Sequence, residues 1–142
     1  MTFDKTTRHV NRVFVHCSAS DHDDHDDVSV MREWHEKRGW RDVGYHFFIK
    51  KDGTVQNGRD LEWTPSAQRG HNTGTIAICL HGLLEENFTQ SQFSSLRRLC
   101  RHINSIYSDI TFHGHKEVAN KSCPVFDYVD VLGLDDEGNL GI

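Results

Sequence analysis

A chain of 142 residues, 36% hydrophobic and 26% charged, can bury one core and is too apolar to remain disordered. Its formal net charge of -5 argues against a broad nucleic-acid-binding surface, though not against a local basic patch. No apolar run reaches bilayer length, and "MTFDKTTRHV" has no apolar secretory core, so synthesis and initial residence in a cytoplasm are expected, with Cys17, Cys79, Cys100 and Cys123 as free thiols or metal ligands.

"RVFVHC", Arg12 to Cys17, alternates with Val13 and Val15 on one side and reads as a strand. "SASDHDDHDD" follows, with five acids and two histidines, His22 and His25, in ten residues. So many acids cannot all be buried unpaired, so this reads as a solvated loop at a cleft rim. Val28 to Arg38 reads as a helix capped by Asp27 or Ser29 and stopped at Gly39. "YHFFIKK" and "TVQ" form a hairpin across Asp52-Gly53, and "TIAICL" reads as a buried central strand. Thr89 and Gln92 have the form of a capping box. Phe93, Leu96, Cys100, Ile103 and Tyr107 then make one apolar face of a helix from about Gln90 to Tyr107. "DITFHG" is a further strand, "PVFDYVDVL" a closing helix with Pro124 in its first turn, and the tail from Asp135 a loose polar end. With neither repeats nor a linker, the chain is expected to be one α/β domain over 1–142, core about 10–133, with a mixed central sheet flanked by helices.

Three residues stand out for their chemistry. His16 lies near the end of a buried strand, His115 just past another, and Cys123 eight positions later in a loop. Two imidazoles and a thiolate suit zinc and leave a fourth position for water. Alone, His16 would read better as a satisfied core histidine and Cys123 as an inert thiol. Cys17, Cys79 and Cys100 read as core, His35 and Trp34 as helix packing, and His46 as pointing away from Tyr45; His71 and His113 could each line the cleft.

The segments "VHCSAS", "WHEKRGWRDVGYHFFIKKDGTVQNGRD", "GHNTGTIAICLHG" and "HKEVANKSCPVFD" lie in order between residues 13 and 127. Together they resemble the zinc-dependent N-acetylmuramoyl-L-alanine amidases of bacteriophages, relatives of peptidoglycan-recognition proteins. The resemblance implies that His16, His115 and Cys123 bind Zn2+ and that Tyr45 and Lys121 are catalytic side chains. It implies hydrolysis of the amide between N-acetylmuramic acid and the L-alanine of the peptidoglycan stem peptide. Zinc would activate water, and Lys121 and Tyr45 would act on the oxyanion or the water. Many relatives carry a histidine three or four residues before "GHN"; here Ala67 stands there, which puts any role for that histidine in doubt.

On this reading the protein is a monomeric, single-domain endolysin, made in the host cytoplasm and reaching periplasmic peptidoglycan after a holin-type membrane lesion. A non-catalytic peptidoglycan-recognition module is the rival, which Cys123 argues against because such relatives typically lack that cysteine. Inhibition of the phage RNA polymerase, known in this group, could coexist with hydrolysis. No direct nucleic-acid contact and no membrane insertion are expected.

Overall fold

The computed structural model describes residues 3–142, so the first two residues of the expected domain lie outside it. Five strands form one mixed sheet: β1 (Arg12–Cys17), β2 (Phe47–Ile49), β3 (Val55–Asn57), β4 (Thr75–Leu80) and β5 (Thr111–Gly114). Their order is β3-β2-β4-β1-β5. The β1/β4, β1/β5 and β2/β4 pairs are parallel, while β2 and β3 make the antiparallel hairpin. Three helices complete the fold: α1 (Val28–Lys37), α2 (Gln90–Ile106) and α3 (Tyr128–Leu132). The expected α/β architecture is the one observed.

The apolar run "TIAICL" is central because a strand buried on both faces needs no polar alternation. Every residue of β4 is buried. On one face, Val13, Val15, Ile76, Ile78, Leu80 and Phe112 pack with Leu96, Leu99, Cys100 and Ile103 of α2. The other face is thinner: Phe48 and Cys79 pack with Val28 and Met31 of α1. Strand alternation puts Phe14 and His16 on this second side, opposite Val13 and Val15. Asp27 caps α1 by accepting the Ser29 amide at 2.9 Å. Thr89 and Gln92 form the reciprocal capping box of α2. Gly53 turns the hairpin at φ +89, a conformation that favours glycine.

The C-terminal segment departs from the sequence expectation twice. The closing helix starts after Asp127, not at Pro124. Val125 has φ +75, which cannot continue a right-handed helix, and the Asp127 carboxylate instead accepts the Asp130 amide at 3.1 Å. The tail is not loose. Asp135 accepts the amides of Glu137 and Asn139, each at 2.9 Å, and the Gly138 carbonyl accepts the Phe112 amide at 2.8 Å. The tail thus covers the free edge of β5, satisfying backbone groups that an open edge would expose.

His46 faces away from Tyr45, as alternation predicts, and joins three segments. Its Nδ1 accepts the Ala77 amide at 3.1 Å, and Nε2 meets the Trp63 carbonyl at 2.8 Å. A backbone carbonyl only accepts, so the ring is neutral with its proton on Nε2. Burial pushes its pKa down to about 4 from the usual 6.5. Above 6.5 both folded and unfolded states are unprotonated and the full stability is present. Between 6.5 and 4 the unfolded chain takes up a proton that the folded chain refuses, so stability is lost as pH falls. Melting temperature should therefore fall across this window more steeply in the wild type than in His46→Gln. Parallel pH profiles of the two proteins would contradict this.

Candidate metal centre

β1 and β5 run parallel and side by side, so their C-terminal ends emerge at the same edge of the sheet. His16 is the penultimate residue of β1, and His115 opens the 3-10 turn that follows β5. Both are buried, His16 at 1% exposure. Cys123 comes from the loop before α3 and is half-buried. One ligand atom from each of the three lies within 4.8 Å of the others. His16 Nδ1 and Cys123 Sγ are 3.9 Å apart, and the two imidazole centroids 4.6 Å.

Local chemistry fixes each member. The Lys116 amide donates to the Cys123 carbonyl at 2.8 Å and closes the loop joining His115 to Cys123. Before His115, Gly114 has no room for a side chain: a Cβ there would stand 2.4 Å from the Tyr128 ring. Glu117 ties the turn down, accepting from the Gly114 amide at 2.8 Å and the Tyr128 hydroxyl at 2.5 Å. The Cys17 amide points at Cys123 Sγ at 3.2 Å, a donor that would stabilise a thiolate. His16 Nε2 meets the buried Gln68 Oε1 at 2.9 Å, leaving Nδ1 toward the other two ligand atoms.

Electrostatics favour neutral imidazoles. Burial, reinforced by neighbouring His115, pushes His16 down to about 3. Burial and then the Lys121 ammonium lower His115. Neutral rings keep the lone pairs that a metal needs. The adjacent Cys17 thiol and burial push the Cys123 thiol up, so a nearby cation is needed to favour its thiolate.

Tyr45 sits against this group with its ring 5.2 Å from that of His16. Burial and the thiols of Cys79 and Cys123 hold its hydroxyl well above the usual range, so it is a phenol, able to donate, at neutral pH. Lys121 is exposed at the rim, and its charge is felt by both His16 and His115. Of the five residues singled out from the sequence, His16, His115, Cys123 and Tyr45 gather at one place, and Lys121 lies two positions before Cys123 in the same loop.

Two of the other histidines weighed from the sequence, His35 and His113, have ring nitrogens engaged elsewhere. His35 is buried against Trp40 and Tyr45, and its Nδ1 accepts the Gly44 amide at 2.8 Å. His113 uses both ring nitrogens on its own neighbours, Thr111 at 2.7 Å and Glu117 at 2.8 Å. His71 contributes its backbone carbonyl, which accepts from Gln68 Nε2 at 3.3 Å. Cys79 and Cys100 are buried, as expected for core thiols; Cys17 is buried too, but its thiol lies against that of Cys123. Two contacts escaped the sequence reading, the Gln68 side chain and the Cys17 amide. "SAQRGHN" draws notice for Ala67; nothing in its pattern marks the glutamine beside it. A main-chain donor has no sequence signature at all.

The acidic loop is partly structural. Asp23–His25 form a 3-10 turn, Asp26 accepts the Lys51 amide, and Asp27 is the α1 cap. The His22 and His25 rings lie 5.0 Å apart, but His25 Nδ1 pairs with Ser20 Oγ at 2.8 Å. Among the described residues, the one set of three converging ligand atoms is that of His16, His115 and Cys123. Replacing both His22 and His25 by Ala should leave metal content and turnover within a few-fold of wild type. Loss of tightly held metal from the folded double variant, measured by elemental analysis, would contradict that.

A cavity of about 650 Å³ opens beyond Tyr45 and His35, flanked by the exposed indoles of Trp40 and Trp63 with Arg41, Arg59 and Ser66. Tilted ring contacts run from Trp40 on the cavity wall through His35 and Tyr45 to His16.

Comparison with known proteins gives this geometry a context. The family model described as N-acetylmuramoyl-L-alanine amidase matches residues 6–126. The chain is 41% identical over 129 residues to an endolysin of Escherichia phage T7, a match covering 87% of this chain and 85% of that protein. Among solved structures, the endolysin amidase LysCS from Clostridium intestinale URNW superposes with a TM-score of 0.80 at 30% identity, covering 89% of this chain and 83% of that one. Drosophila PGRP-LB shares the fold, with a TM-score of 0.76 at 22% identity over 91% of this chain and 84% of that one.

Proposed function

The chain belongs to the N-acetylmuramoyl-L-alanine amidase family, and on that premise we propose that it is a phage endolysin cutting the amide between N-acetylmuramic acid and L-alanine with zinc held by His16, His115 and Cys123. The observation that carries this reading is the convergence of two neutral imidazoles and one thiol at the ends of adjacent parallel strands. The donor set suits zinc: two nitrogens and one sulfur, and among the described residues no fourth His, Cys, Asp or Glu atom joins them. Three protein ligands are the pattern of an open, catalytic site; a structural one is closed by a fourth. The same donor set favours this reading over a non-catalytic recognition module.

Bound there, zinc supplies Lewis acidity and lowers the pKa of water toward neutrality. The remaining work belongs to the protein. The Lys121 ammonium, close enough to shift both imidazoles, brings positive charge to where the scissile carbonyl oxygen becomes an oxyanion. The Tyr45 phenol, kept protonated by burial, offers a hydrogen bond to the same oxygen or to the attacking water. The Trp40 and Trp63 indoles offer flat faces to a pyranose ring, and Arg41 and Arg59 outweigh Asp42 in the charge of the lining, which suits a carboxylate-bearing polymer.

Metal removal tests this directly. Stripping the protein with a chelator should abolish release of soluble peptide from purified sacculi, and one equivalent of zinc should restore it. Undiminished release by protein shown to be metal-free would overturn the proposal.

A further inference from the structure

The strongest unused feature is a buried chain of polar groups ending on His16. Thr75 Oγ1 donates to the Asn72 carbonyl at 2.8 Å. Its hydroxyl proton is therefore committed, and its oxygen is free to accept. Gln68 Nε2 donates to that oxygen at 2.7 Å and to the His71 carbonyl at 3.3 Å. Backbone carbonyls only accept, so they fix the polarity of everything after them. A flipped Gln68 amide would set its oxygen against the His71 carbonyl and against a hydroxyl with no proton to offer. Oε1 must then face His16, 2.9 Å from Nε2. An acceptor at that distance requires the proton of His16 to sit on Nε2, which leaves the lone pair on Nδ1. Nδ1 is the atom that faces Cys123 Sγ.

Gln68 and Thr75 are both fully buried, so water cannot substitute for a missing partner. The segment carrying Gln68 is itself fixed: the Asn72 side-chain oxygen accepts the Ala67 amide at 3.0 Å and the Gln68 amide at 2.9 Å.

We infer that Gln68 is a positioning residue that selects the Nε2–H tautomer of His16 and aims its Nδ1 lone pair into the metal centre. The inference rests on the zinc reading above for its purpose, but the tautomer itself is a property of the metal-free protein. A free imidazole divides itself between two tautomers and rotates about two bonds. Ordering it in advance removes that cost from metal binding, and outer hydrogen-bond partners of this kind typically change metal affinity roughly 10–100-fold. The side chain of Ala67 can make no hydrogen bond. The polar partner in this segment is its neighbour, Gln68.

The test combines two readouts. Long-range nitrogen–proton correlation spectra of the metal-free wild type should show His16 as the Nε2–H tautomer. Gln68→Met keeps the volume and removes the hydrogen bond. It should yield a mixed tautomer population and bind zinc roughly tenfold or more weakly in chelator competition. A packing role alone would not move the tautomer. The inference is overturned by an Nδ1–H tautomer in the wild type, whatever the variant does. It is equally overturned by a folded Gln68→Met with unchanged tautomer and zinc affinity. Failure of the wild type to bind zinc would instead sink the metal assignment and leave the tautomer result readable.

Discussion

Cys123→Ser is expected to lose both tight zinc binding and peptidoglycan hydrolysis while the sheet stays intact. Serine is nearly isosteric, so the loop closed by the Lys116-to-Cys123 backbone bond has no steric reason to open. Its hydroxyl, however, stays protonated near neutrality and is a far poorer zinc donor than a thiolate. The Cys17 amide, now aimed at Sγ from 3.2 Å, would face a weakly basic oxygen instead of a polarizable anion. His16 and His115 alone make a two-point site. The affinity loss should exceed the roughly 10–100-fold that follows removal of a mere outer partner. Far-UV circular dichroism should be unchanged. Stoichiometric zinc at wild-type affinity in this variant would remove Cys123 from the ligand set.

Lys121→Ala is expected to separate chemistry from metal binding. The side chain is exposed, so its loss should cost little stability and leave zinc in place. If its charge stabilises the oxyanion, turnover on purified peptidoglycan should fall roughly 10²–10³-fold. The effect should appear in kcat, because the oxyanion exists only beyond the ground state. Near-normal turnover with zinc bound would exclude Lys121 from the mechanism.

Much of this architecture was legible because its signals are periodic or local. The apolar steps from Phe93 to Ile103 and the Thr89 capping box define α2 without help from the rest of the chain, and the structure ends it one residue before Tyr107. "TIAICL" marks a strand buried on both faces by its unbroken apolar run. The C-terminal segment was misread because its determinants are not periodic. A positive φ at Val125 cancels the helical start that Pro124 suggests, and the tail is ordered by side-chain caps and by one backbone bond to Phe112. The candidate site was legible by resemblance, as residue types in order along the chain. Its supports were not: Gln68 reaches His16 across 52 positions of sequence, and the Cys17 amide reaches Cys123 across 106. Density of ligand-type residues was the wrong guide. "DHDDHDD" has more of them than any other stretch, yet Asp26 and Asp27 hold the backbone and His25 pairs with Ser20. Convergence in space, not crowding in sequence, makes a metal site.

Mass spectrometry of purified sacculi after digestion tests the assigned reaction most directly, because it reads the bond that was cut. The expected products are stem peptides beginning with the free amine of L-alanine, together with glycan chains whose lactyl carboxylates are uncapped and whose sugar linkages are intact. New saccharide ends, or cleavage within the stem peptide with its L-alanine still attached to muramic acid, would contradict it.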